Sequence, residues 1–171
     1  MMNEELLFKK AAEADVKRIW QIIKQAKEQM KRLGSKQWQD GYPMLETIKE
    51  DIAVGNGYVL CEEGAVIAYG AIIFTGEPSY DEILGSWMDD APYVVVHRLA
   101  VADEAKQRGI ATYFMQCTEE LSCRNGVFRF RVDTNFDNTY MHQMLARLGF
   151  AYCGEVRYRK GMREAFEKRL N

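Results

Sequence analysis

The chain is poor in the residues that build metal sites and covalent staples. Its 171 residues include only two histidines, His97 and His142, and four cysteines, Cys61, Cys117, Cys123 and Cys153, scattered without a C-x-x-C pair. Such spacing argues against a zinc knuckle or a dithiol redox centre, and a domain of this size needs no disulfide framework, so the thiols read as reduced core residues. Positive charge is not in excess either: 23 Lys and Arg against 25 Asp and Glu leave a net −2, which provides no global attraction for nucleic acid. No apolar run reaches the length of a membrane span, and "MMNEELLFKKAAEADVKRIW" has no unbroken apolar stretch, so a cytoplasmic protein without a membrane partner is expected. Low complexity and internal repeats are also missing.

What is present is the composition of a globular protein, 47% hydrophobic and 28% charged, in a length that suits one domain over residues 1–171. Leu6 to Lys9 reads as an opening strand. Asp15 stands at an N-cap position before Val16, Ile19, Trp20, Ile23, Met30 and Leu33 at near-helical spacing, with Gly34 as the stop. After "SKQWQDGYP", Leu45, Ile48 and Ile52 give a shorter helix ending near Gly55, and "GYVLCEEGAVIAYGAIIF" reads as a hairpin turning at "EEG". Residues 75–92 carry Gly, Pro and five acidic side chains with no basic one. They read as a loop, partly helical around Ile83 to Trp87, and long enough to imply a site or mobility. Beyond it come a buried strand over Tyr93 to Val101, a helix opened by Gly109 and closed by "RNG", a strand over Val127 to Thr134, a helix over Asn138 to Leu148 and a strand over Phe150 to Val156. The sum is a mixed α/β or α+β fold.

The most informative stretch is "VVVHRLAVADEAKQRGIATYFMQ", in which a strand leads through a short charged loop into a helix. The first backbone N–H groups of a helix lack internal acceptors and carry the positive end of its dipole, so they attract anions. Gly109 lets a bulky anion approach the backbone, small Ala111 keeps the next turn clear, and Lys106 and Arg108 add charge, so phosphate is the natural ligand. A plain tight turn with solvated cations is the alternative. The loop lacks the G-x-x-x-x-G-K-[ST] pattern of nucleotide-binding P-loops.

Val96 to Met115 resembles motif A of the GCN5-related N-acetyltransferase (GNAT) superfamily, a strand followed by [Q/R]-x-x-G-x-[G/A]. Here the six positions are Lys106, Gln107, Arg108, Gly109, Ile110 and Ala111, and Lys106 departs from the usual Gln or Arg, keeping charge without the planar fork. "DTNFDNTYMHQMLARLGF" is similar to the superfamily's later motif, in which an asparagine opens a helix ending in Gly-Phe: Asn138, Gly149 and Phe150. The resemblance implies a central mixed, mostly antiparallel sheet splayed between its fourth and fifth strands and flanked by about four helices. It further implies acetyl-CoA as cosubstrate and no metal. The pantetheine arm would pair with Leu99, Ala100 and Val101, and Asn138, with Asn135 and Met141, would contact the cofactor. A homodimer is compatible with it.

Acetyl transfer to an amine needs a neutral amine, a polarised carbonyl and a protonated leaving thiolate. In the superfamily the amine usually attacks directly within a ternary complex. His97 is the base candidate, since an imidazole titrates near neutrality, and strand alternation puts it on the face of Leu99 and Val101 with Arg98 opposite. Arylalkylamine acetyltransferases carry a histidine in a similar His-x-Leu-Ala-Val stretch; a hydrogen-bonded core histidine is the other reading. Many members place an acid tyrosine seven residues after the asparagine, where this chain has Leu145. His142, sharing that face, is the substitute candidate, with Tyr152, Cys153 and water as others. The resemblance implies an acceptor site built by the first two helices and their connection, where Trp38 and Tyr42 offer aromatic faces, and by the acidic 75–92 loop, both suiting a cationic amine of a small molecule, amino acid or peptide; an ordinary solvated loop with hydrophobic anchors is the other reading. The tyrosine gap keeps a noncatalytic acyl-CoA-binding sensor as the alternative. For "REAFEKRL", propensity favours helix, whereas the resemblance implies a last strand after a "YRKG" turn.

Overall fold

The computed structural model describes residues 6–171 and contains four α-helices and eight strands. In chain order these are β1 (Leu6–Lys10), α1 (Val16–Arg32), α2 (Leu45–Ala53), β2 (Gly57–Glu62), β3 (Ala65–Ile73), β4 (Leu84–Gly85), β5 (Val94–Val101), α3 (Ile110–Arg124), β6 (Arg129–Thr134), α4 (Thr139–Leu148), β7 (Ala151–Tyr158) and β8 (Gly161–Arg169). The chain divides into two compact units, one running to Ile72 and including His97–Cys117, the other comprising Ile73–Val96 and Thr118–Asn171.

In the first unit the strands run β1-β2-β3 and then the second half of β5. β1 and β2 pair antiparallel from Leu6↔Glu62 to Lys10↔Tyr58, and β2 and β3 form the expected hairpin, with Glu63 and Gly64 both left-handed at its turn. Residues at helical spacing on α1 (Ile19, Ile22, Ile23 and Ala26) bury against Ile48 of α2 and against Val59, Val66 and Tyr69. That apolar stripe is what seats α1, because its own termini have little to hold them in isolation.

In the second unit the order is β5-β6-β8-β7-β4. β5 and β6 are parallel but paired only at Val94↔Phe130 and Val95↔Arg131. β6 itself pairs antiparallel with β8 from Arg129↔Arg169 to Thr134↔Glu164. β7 and β8 form a long antiparallel hairpin turning at Arg159 and Lys160, so the C-terminal segment is a strand although its residues favour helix. Its alternation explains this: Ala165 and Glu167 are buried while their neighbours are not.

The 75–92 segment departs from expectation. Pro78–Glu82 forms a single 3-10 turn, and the stretch expected to be helical contains β4, paired with β7 through Leu84↔Glu155 and Gly85↔Gly154. Tyr80 is 1% exposed and packs with Val95, Val156, Ala165, Trp87 and Tyr93. Aromatic anchors thus fix the segment to the sheet, and sheet pairing overrides the helical pattern.

Candidate active site

The strand, loop and helix start singled out from the sequence lie within the first unit. Ala102 closes β5 with its N–H on the Ile67 carbonyl at 2.8 Å, and a 3-10 turn over Asp103–Ala105 reverses the chain, its first N–H held by Gln25 Oε1 at 2.9 Å. Gln107 (φ +62°) and Gly109 (φ +73°) then adopt left-handed backbone, the second a conformation glycine takes at no steric cost. The first intrahelical bond of α3 runs from the Tyr113 N–H to the Gly109 carbonyl at 3.0 Å. The N–H groups of Ile110, Ala111 and Thr112 therefore precede any intrahelical acceptor and emerge beside an exposed glycine, as an anion cradle requires.

Packing fixes where this helix start lies. Phe114 is fully buried, meets Phe8 edge-on at 5.6 Å between centroids, and lies so close to Gly70 of β3 that a Cβ there would sit 2.7 Å from its ring. The cations of the loop are engaged locally: Arg108 makes a forked pair with Glu62 (3.1 and 2.5 Å), holding that carboxyl below its ordinary range, and Lys106 pairs with Asp103 at 3.1 Å.

His97 is half-buried on β5, next to Arg98, whose φ is +59°. A left-handed residue interrupts the pleat, so simple alternation does not carry from His97 to Leu99, contrary to the expected face assignment. Arg98 is bound to Asp51 of α2 through Nε and Nη2 (2.8 and 2.6 Å) and donates from Nη1 to the Tyr42 hydroxyl at 2.6 Å, while the Tyr69 hydroxyl donates to Asp51 at 2.7 Å. Burial and the Asp51 charge push the Tyr69 phenol far up.

Tyr42 is thus a half-buried residue with a charged partner, and it remains a substrate-site candidate. Trp38 fits the expected cation-holding role poorly. It is 6% exposed in the core cluster, and the hollow of about 320 Å³ that it lines is walled by Lys24, Lys27 and Lys31 together with Glu28. The acidic loop is also partly committed: Asp89 receives Arg129 in a fork, and Arg131, not an external cation, sits over Trp87 and Tyr93 at 4.4 and 4.1 Å.

In the second unit Asn138 caps α4, its side-chain oxygen accepting from the Met141 N–H at 3.1 Å, and Gly149 (φ +89°) closes the same helix. Asn135 donates to Asp137 at 2.6 Å, and Met141 is half-buried. His142 places Nε2 3.1 Å from Glu164 and 3.2 Å from the Asn135 carbonyl, with its ring edge-on to Phe166. Tyr152 meets the same Phe166 from β7, so two of the acid candidates gather on one aromatic platform. Leu145 is fully buried. Cys153 is half-buried, and burial and Glu167 push its thiol up, leaving it protonated and a poor nucleophile. Among the described residues no group of three or more His, Cys, Asp or Glu side chains is arranged to hold a metal ion, and no helix is long and apolar enough to cross a membrane.

Sequence reasoning missed Asp51, Tyr69, Asp133 and the role of Arg98. A signal existed for the first: Asp51 lies on α2 between Ile48 and Ile52, a charge where an apolar neighbour would be expected.

The strand β5 turns through a left-handed glycine into a helix whose first N–H groups precede any intrahelical acceptor. The acetyltransferase (GNAT) family profile matches residues 15–150, and the chain belongs to that family. It is 33% identical to a GNAT-family acetyltransferase of known structure from Streptococcus agalactiae 2603, covering 98% of this chain and 97% of the other with a TM-score of 0.89. A protein assigned as an acetyltransferase from Staphylococcus aureus Mu50 shares 26% identity (96% and 99% covered, TM-score 0.74). A GNAT-family acetyltransferase from Listeria monocytogenes 4b F2365 shares 23% (96% and 95%, TM-score 0.77) and supports the fold. No curated protein sequence matches the chain.

Proposed function

We propose that the whole chain is one N-acetyltransferase domain that moves an acetyl group from acetyl-CoA to a primary amine of a small molecule, amino acid or peptide. The observation that carries this reading is the exposed left-handed Gly109 at the start of α3, where backbone donors can take a diphosphate. The residues fit the group: Gly109 leaves the approach open, Ile110, Ala111 and Thr112 supply N–H groups, and Leu99–Val101 offer backbone to an extended arm. The bound cosubstrate supplies an activated acetyl thioester.

The protein's part is positioning and proton traffic. As the amine forms its C–N bond and the C–S bond breaks, one proton leaves the nitrogen and one must reach the sulfur. We assign the first to His97 on β5. The second falls to His142, whose Nε2 faces Glu164, or to Tyr152 beside it, since Leu145 carries no proton. Titration calorimetry with acetyl-CoA and CoA tests the binding, and a mass-spectrometric panel of amines tests the transfer. Gly109→Arg is expected to weaken CoA binding by about a hundredfold or more, because an arginine side chain would fill the cradle and is strained at that φ. Binding without acetylation of any amine would leave an acyl-CoA sensor, and no binding would overturn both.

A further inference from the structure

We propose that the buried Asp51–Arg98 ion pair is a positioning device, holding the left-handed residue of β5 so that the backbone of Leu99–Val101 is set for pairing with the pantetheine arm of CoA. The inference rests on the acetyl-CoA reading above.

Arg98 has φ +59° in the middle of a strand, a conformation that strains any residue with a Cβ unless its surroundings hold it. Its side chain is held at every nitrogen: Nε and Nη2 fork onto the two oxygens of Asp51, and Nη1 reaches the Tyr42 hydroxyl. Two planar groups joined by two bonds fix orientation as well as distance, which a single point charge does not. Asp51 is in turn anchored on α2 and held by the Tyr69 hydroxyl.

The pair is poorly explained by stability. Side-chain exposure is 11% for Arg98 and 7% for Asp51, and ions this deeply buried gain little over an apolar pair of similar size. Registry is a better use, and the location suits it. Leu99–Val101 lies between the clamp at Arg98 and the bond from the Ala102 N–H to Ile67, with Ala100 buried in the core, so the segment is fixed at both ends.

The test compares CoA with its own nucleotide end, 3′-phospho-ADP (here simply ADP), which carries the same phosphates without the arm, by titration calorimetry on the wild type, on Arg98→Lys and on the double variant Asp51→Leu with Arg98→Met. The double change removes both charges and leaves no unpaired ion. In the wild type CoA is expected to bind about tenfold or more tighter than ADP. In the double variant ADP should bind as before while CoA falls to about the level of ADP, and Arg98→Lys, with charge but no fork, should lie between. Should circular dichroism show the double variant unfolded, the ratio in Arg98→Lys alone decides. A CoA-to-ADP ratio unchanged within about twofold, or equal loss of both ligands in a folded variant, overturns the proposal. A wild type that binds neither ligand overturns the acetyl-CoA reading and the proposal with it.

Discussion

Arg98 and His97 are neighbours whose sequence context suggests plain alternation, and one left-handed torsion between strand halves changes what each can reach. Nothing local to "VVVHRLAV" announces it, since arginine has no preference for that conformation; what accompanies it is a bidentate partner, Asp51, 47 positions away. Glycine 109 is the opposite case, legible at once because its neighbours and its conformational freedom belong to the same few residues. If His97 accepts the amine proton, His97→Gln should lower kcat/KM by about a hundredfold or more with CoA affinity within about twofold of wild type, and should remove the acid limb of the pH–rate profile. A profile of unchanged shape would exclude the base role.

At the scale of elements, α3 is held by a contact that depends on an absent side chain. Gly70 gives Phe114 its place against β3, and Gly70→Ala would force the ring or the strand to move from a 2.7 Å approach. The expected cost is about 1–3 kcal/mol, read as a lower denaturant midpoint, together with weaker CoA binding because the start of α3 moves with Phe114. β4 shows the same dependence more sharply. Gly85 and Gly154 face each other so closely that a Cβ on either would run into the opposing backbone, and Ser86 adds an N–H bond to the Cys153 carbonyl at 3.0 Å. Gly154→Ala should therefore detach β4 and raise amide exchange in residues 80–88 before global unfolding. Exchange there that matches the wild type would show that β4 pairing withstands the change. The misreading of Ile83 to Trp87 as helix has this cause: two glycines far apart in sequence allow a pairing that no local pattern encodes.

For the molecule as a whole, buried phenols make a further stability statement. Tyr80 and Tyr158 both donate to the same oxygen of Asp133 at 2.7 Å, and burial together with that carboxylate drives both phenols well above their ordinary range, as it does Tyr69 beside Asp51. Up to about pH 10 folded and unfolded chains both keep these protons, so pH has no leverage through them. Above that, the unfolded chain releases protons that the native state retains, and stability falls as pH rises. Tyr158→Phe should be less stable than wild type by about 1 kcal/mol at neutral pH, from the lost hydrogen bond, but should lose stability less steeply above pH 10. Parallel curves in alkaline denaturation would show that Tyr158 does not hold its proton.

Apart from β4, the order of strands and helices, the hairpin at "EEG", the stops at Gly34, Gly55 and Gly149 and the glycine turn that opens α3 were all determined by sequence, because periodicity, caps and turns are decided by residues a few positions apart. The two sequence motifs likewise sufficed for the family. Tertiary structure alone decided that Asp51 meets Arg98, that Asp133 collects two tyrosines, that Trp38 faces lysines and that Arg131 occupies the aromatic pair of the 75–92 segment. Each of these depends on which face of one element is pressed against another, and such faces are selected by the packing of the whole core.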